Sequence, residues 1–147
     1  AWADNDSMHV EARFQEGEGL LFVGNFHRMP MSAHIQARNP RGTGSIDLGT
    51  LRVEGLHGLF LPLQADVAPG LTLVFAHAEL LDRKATKRGA TFALRGIENS
   101  KGVIALRSRK PIRKITVDGQ PLAFETSGGM TRAEYVQNGR KQAVEVA

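Results

Sequence analysis

The sequence predicts an all-β fold: an antiparallel, jelly-roll-like β-sandwich of about ten short strands. Three observations predict it. Gly58–Leu81 (GLFLPLQADVAPGLTLVFAHAELL) alternates with period two on both sides of a turn. Turn-forming residues recur roughly every 8–12 positions. No stretch carries a convincing helical period, and the one short candidate, Ala76–Lys84, begins inside a strand pattern.

Taken in order, residues 1–7 (AWADNDS) are a polar lead-in with no pattern to order them. Met8, Val10, Ala12 and Phe14 then alternate with His9, Glu11, Arg13 and Gln15, a strand with one wet face. Gln15–Gly19 is turn material, and Leu20–Phe26 is a nearly continuous apolar run, the pattern of a strand covered on both faces. After a loop with Met29-Pro30, Ala33, Ile35 and Ala37 point inward against His34, Gln36 and Arg38. Asn39–Ser45 is a loop, and Ile46–Val53 alternates again.

The central hairpin follows. Leu59, Leu61, Leu63, Ala65 and Val67 share one side, Leu71, Leu73 and Phe75 return on one side, and Ala68-Pro69-Gly70 reverses the chain. Asp82–Gly89 reads as a basic loop. Thr91–Arg95 and Val103–Arg107 are strands around a turn at Asn99–Gly102. Ile112–Val117 closes at Asp118-Gly119, a strong hairpin signal, with Leu122–Phe124 pairing back. Ser127–Arg132 reads as a flexible loop, and Ala133–Gln137 and Gln142–Val146 as a last hairpin around Asn138-Gly139.

The 147 residues fit one domain, 8–147, large enough to bury its own core. Hydrophobic content of 41% and charged content of 23% suit a soluble globule. No apolar run approaches the length of a transmembrane helix, so no membrane contact is expected. The start, AWADNDSMHV, lacks the basic and apolar regions of a signal peptide. With no cysteine, disulfides and thiolate metal sites are excluded.

Chemistry-bearing patterns are sparse. His9, His27, His34, His57 and His77 are scattered without metal-ligand spacing, so no metal or cofactor is expected. There is no GxSxG motif, and the acids stand at strand ends or in turns rather than as a nameable pair. GEGLLFVGN lacks the following helix that a phosphate cradle needs. Two basic clusters stand out: Arg83, Lys84, Lys87 and Arg88, and Arg107, Arg109, Lys110, Arg113 and Lys114. They read either as a polyanion patch or as charge that protects a strand edge. Aromatics make up only 6% of the chain and do not interleave with the basic residues, so no nucleic-acid partner is expected. For a sugar, the candidate polar and aromatic groups are Asn25, His27 and Arg28, at the end of the apolar run, and Tyr135.

The order of pieces carries a resemblance. LLFVGNFH (Leu20–His27), AHIQAR (Ala33–Arg38), GLFLPL (Gly58–Leu63) and LTLVFAHAELL (Leu71–Leu81) resemble an accessory β-domain of bacterial β-galactosidases of glycoside hydrolase family 35. KPIRKITVDGQPL is similar to the VxVDG hairpin of glycosidase accessory sandwiches. Phe26 stands where that family usually has tyrosine, and His77 where threonine follows Phe75-Ala76. The resemblance implies a non-catalytic domain in a periplasmic or extracellular β-galactosidase-like enzyme, with a catalytic (β/α)8 barrel as its partner. A barrel takes about 250 residues, and no stretch here resembles one, so nothing catalytic carries over and this chain alone is not expected to be an enzyme. A carbohydrate-binding module for galactose-containing glycans, and a polyanion-binding domain using the basic clusters, are the alternatives.

Overall fold

A computed structural model describes residues 1–147. The fold is all-β, with fifteen strands rather than ten, every pairing antiparallel. In order these are β1 (Trp2–Ala3), β2 (Met8–Gln15), β3 (Glu18–Asn25), β4 (Met31–Arg38), β5 (Ser45–Val53), β6 (His57–Ala68), β7 (Leu71–Ala76) and β8 (Glu79–Ala85). There follow β9 (Ala90–Arg95), β10 (Lys101–Ser108), β11 (Ile115–Val117), β12 (Gln120–Pro121), β13 (Phe124–Ser127), β14 (Met130–Val136) and β15 (Gln142–Val146). They form three sheets: β1-β4-β5, β13-β14-β10-β7-β6-β3-β2, and β12-β11-β15-β9-β8.

The seven-stranded sheet is the middle layer. Its β2-β3-β6 side packs on the three-stranded sheet around Leu21, Val23, Ile35, Leu48, Leu61 and Leu63. Its β7-β10-β14 side packs on the five-stranded sheet around Leu73, Phe92, Leu94, Ile104, Leu106 and Val144. The two cores hold 16 and 17 buried residues, so neither outer sheet is an appendage. β10 serves both: Ile104 and Leu106 enter one core and Ala105 the other.

The central hairpin forms as expected, with Gly70 at φ 73° in its turn. Its second strand does not keep strict alternation. Leu71 and Leu73 enter one core, then Val74 and Phe75 both enter the other. A bulge in the β7–β10 register and a positive φ of 51° at Gln64 produce this switch. Beside the bulge the sheet passes from one packing partner to the other.

Other expectations are corrected. Trp2–Ala3 of the lead-in pairs with β4 as β1, fixed also by the Asp4 carboxylate accepting from the His34 N–H at 2.9 Å. The helical candidate and the basic loop are largely β8, and only Thr86–Gly89 turns. Ser127–Arg132 is a tight β13–β14 hairpin, with Gly128 and Gly129 both at positive φ as a primed turn requires. The pairing back on β11 is made by Gln120–Pro121 and continued by the Leu122 N–H, which donates to the Ile115 carbonyl at 2.8 Å, whereas Phe124 pairs with β14. β14 and β15 do not pair with each other: β14 lies between β10 and β13, and β15 between β9 and β11. Asn138-Gly139 therefore lies in a crossover between sheets. β9 and β10 also lie in different sheets, so Asn99–Gly102 crosses over too.

Gln137 binds these crossovers together. Its amide nitrogen donates to the His77 carbonyl at 3.1 Å, the Ser100 hydroxyl at 3.1 Å and the Lys101 carbonyl at 3.3 Å. Its carboxamide lies against Gly96, where any Cβ would collide with it.

Candidate functional site

The stagger of the three layers leaves one sheet face open. The five-stranded sheet ends at β8, while β2, β3 and the first half of β6 extend past it in the middle layer. Their inner residues Met8, Leu21, Val23, Leu59 and Leu61 are buried. Their outer residues are covered only along the β8 edge, where the Phe60 N–H donates to Glu79 Oε1 at 3.4 Å. Leu20 and Phe60 are each 48% exposed, and Phe26, just after β3, is 67% exposed.

Register explains the arrangement of this face. Phe22 stands directly across from Phe60, with ring centroids 5.1 Å apart and tilted by 48°. Gly24 and Gly58 are also cross-strand partners, and the Phe22 ring lies over both. A Cβ at either glycine would come within 2.8 Å of that ring. Two adjacent glycines therefore form a slot that lays Phe22 flat on the sheet. His9 lies 6.0 Å from Phe22 and 6.1 Å from Phe26. The apolar run Leu20–Phe26 is thus covered on one face only, contrary to the expectation of two.

β8 walls the open face and makes it a groove floored by Leu20, Phe60 and Pro62 and walled by Leu80 and Leu81. Three carboxylates around it are paired with arginines, Glu11 with Arg13 at 3.1 Å, Glu18 with Arg83 at 2.9 Å and Glu79 with Arg95 at 3.3 Å, while Glu16 on the same rim has no ion-pair partner. The arrangement offers a flat apolar floor bounded by ion pairs.

The residues anticipated for sugar binding are not brought together. Asn25 is fully buried. Its amide nitrogen donates to the carbonyls of Met29, Val53 and Glu54 at 2.8, 3.0 and 3.3 Å, and its oxygen accepts from the His27 N–H at 3.0 Å. It locks the loop between β3 and β4 and offers no surface. His27 and Arg28 are exposed in that loop, with the His27 carbonyl accepting from the Leu56 N–H at 2.8 Å. Tyr135 belongs to the other core, its ring over Gly102, and burial pushes its phenol well above the ordinary value.

A different polar face escaped the sequence reading. On the outer side of the three-stranded sheet, Trp2 is 49% exposed and stands across from Gln36. Beside them His34 Nε2 meets Asp47 Oδ1 at 2.6 Å, and that carboxylate also accepts from the Gly49 N–H at 2.8 Å. A two-residue strand carries too short a pattern to reveal Trp2 in advance. The fifth histidine, His77, is buried near Phe75 at 5.8 Å with Nε2 bonded to the Leu48 carbonyl, and desolvation holds its pKa below the ordinary value. Nowhere do three His, Asp or Glu side chains converge as metal donors.

The basic clusters converge in part, while Arg83 lies instead on the apolar groove. Lys87, Arg88, Arg109 and Lys110 line one groove at the end of the molecule where the β6–β7 and β8–β9 turns meet the segment after β10. A neighbouring groove shares Arg109 and adds Arg107 and the Arg41–Asp66 pair. The hydrogen bond from Arg41 depresses the Asp66 pKa, outweighing the opposing effect of burial.

No family model matches this chain, and no curated protein matches it.

Proposed function

We propose that this chain is a non-catalytic accessory β-sandwich domain of a β-galactosidase-like glycoside hydrolase, seated by its open face on a catalytic (β/α)8 barrel. The observation that carries the reading is the apolar outer face of β3 and β6, bordered by the polar outer residues of β2, with Phe22, Phe26 and Phe60 exposed or half-exposed on one surface. Contiguous apolar surface of this kind marks an interaction site. Covering Phe26 and Phe60 alone would remove roughly 230 Å² from water, about 6 kcal/mol gross. Within one polypeptide the linker already meets much of the cost of bringing the partners together.

The identity of the partner rests on the family-35-like strand order of the sequence, and a periplasmic or extracellular location belongs to the same proposal. The arginine-paired rim acids support a seat rather than a hydrolytic cleft. The test is turnover of a nitrophenyl β-galactoside by the isolated chain. Turnover indistinguishable from buffer is expected, and hydrolysis at an enzyme-like rate would overturn the reading.

A second reading, a carbohydrate-binding module, is favoured by the half-exposed Trp2 beside Gln36 and the His34–Asp47 pair. An indole supplies a pyranose with an apolar platform, and the amide, imidazole and carboxylate supply partners for its hydroxyls. Amide NMR titration with galactose, lactose and a galactan oligosaccharide decides between them. Saturable shifts centred on Trp2 and Gln36 establish the module; no shifts at millimolar sugar dismiss it.

A further inference from the structure

We infer that the basic end of the molecule is a binding groove for an acidic polysaccharide, a chain of sulfated or carboxylated sugars. The groove is built by two hydrogen-bonded turns that face each other. In the first, the Thr86 N–H donates to the Gly89 carbonyl at 2.9 Å and the Gly89 N–H to the Thr86 hydroxyl at 3.1 Å, presenting Lys87 and Arg88. On the other side the Arg109 N–H donates to the Gly70 carbonyl at 2.9 Å, and the Lys110 N–H to the Ser108 hydroxyl at 3.3 Å. The aliphatic stem of Arg109 lies across Gly70, where a Cβ would come within 3.1 Å of its Cδ. Glycine at that position gives the positive φ of the turn and also leaves room for the stem.

Charge pairing distinguishes this end from most of the surface, where only Arg28 and Arg140 have neither a carboxylate within 4 Å nor an aromatic ring. Arg13, Arg41, Arg52, Arg83, Arg95, Lys101 and Lys141 each meet a carboxylate within 4 Å. Arg38 and Arg132 stack over phenylalanine rings. In the two basic clusters only Arg83 is paired, and no aspartate or glutamate lines the groove between Lys87, Arg88, Arg109 and Lys110. Unpaired cations gathered on opposed walls raise the local potential and draw an anionic chain. A charge merely protecting strand edges has no need of a shared concavity.

The groove has no aromatic side chain, so nucleic-acid bases have nothing to stack on. Spaced sulfate or carboxylate groups need only the guanidinium and ammonium donors present. Ser108 and Thr86 add hydroxyl groups along the walls.

The experiment is isothermal titration of the whole chain at low salt with heparin, with polygalacturonate, with neutral galactan and with duplex DNA. The expected result is saturable binding of one or both acidic glycans, no binding of neutral galactan, and weaker binding of DNA at equal charge. Comparing heparin with polygalacturonate separates sulfate from carboxylate recognition. The variants Lys87→Glu/Arg88→Glu and, separately, Arg109→Gln should each weaken the glycan at least about tenfold, since a charge-assisted contact contributes on that order. Arg140→Glu, an exposed cation elsewhere, should change it less than about twofold. No binding of either acidic glycan, equal loss in all three variants, or tighter binding of DNA would overturn the inference. Neither the galactoside assay nor the neutral-sugar titration depends on this groove, so its failure leaves the proposed function standing.

Discussion

Replacing Asn25 with alanine should cost about 3 kcal/mol without touching any ligand site. The side chain is fully buried, its two amide hydrogens serve three backbone carbonyls, and its oxygen accepts from the His27 N–H. The two donated amide hydrogens and the one accepted bond, at roughly 1 kcal/mol net each, give the estimate, and leaving the buried Val53 carbonyl without its donor adds to it. For a domain of this size that corresponds to a fall of about 8 °C in Tm. Asn25→Asp keeps the acceptor but places a carboxylate against three carbonyl oxygens, so it should cost more than alanine. Urea unfolding of the three proteins measures both differences. Hydrogen exchange should show the loop between Phe26 and Pro30 opening in the alanine variant. A loss below 1 kcal/mol with an unchanged loop, or aspartate tolerated better than alanine, would refute the claim that Asn25 is a structural lock.

Two further outcomes follow from the cores. His77 is held neutral by burial, so the unfolded chain takes up its proton first. Its stabilising contribution is intact above about pH 6.5 and is lost as pH falls from there through its depressed native value. Urea midpoints should therefore fall between pH 7.5 and 5.5, and His77→Gln should flatten that part of the profile; an unchanged slope would contradict it. The glycines over which rings lie should differ in sensitivity. Gly102→Ala meets the buried Tyr135 ring at 2.5 Å and should cost about 1–3 kcal/mol, whereas at Gly58 the half-exposed Phe22 ring can swing outward and the cost should stay under about 1 kcal/mol. Chemical denaturation of both variants gives the comparison, and equal losses would contradict it.

Much of the fold was legible because period-two alternation and turn dipeptides are local. Met8–Phe14, Ala33–Ala37 and Leu59–Leu63 of the central hairpin place their side chains as the pattern requires. Non-local choices were hidden. Asn138-Gly139 signals a reversal, but whether the flanking strands pair with each other or join different sheets depends on β9, β10, β11 and β13. The bulge at Val74 is a property of three strands together, and no single one announces it.

The candidate sites were less legible, for a related reason. Leu20–Phe26 has the composition of a strand covered twice, and composition cannot say that this chain covers only one of its faces. Asn25, His27 and Arg28 were polar groups at a strand end, but only the depth of Asn25 separates a loop lock from a ligand contact. The two basic clusters lie about twenty residues apart in sequence, and the meeting of the β8–β9 turn with the segment after β10 brings them to one groove.

Hydroxyl-radical footprinting of the outer sheet face tests the central claim most directly. The protein purified from its native source would be compared with the isolated 147-residue chain, reading oxidation of individual phenylalanines by mass spectrometry. If the face of β2, β3 and β6 is a seat for another domain, Phe22, Phe26 and Phe60 react freely in the isolated chain and are protected in the native protein, while buried Phe75 and Phe92 are protected in both. Equal oxidation of Phe22, Phe26 and Phe60 in the two samples would mean that the face stays in water, and the domain-seat account would be wrong.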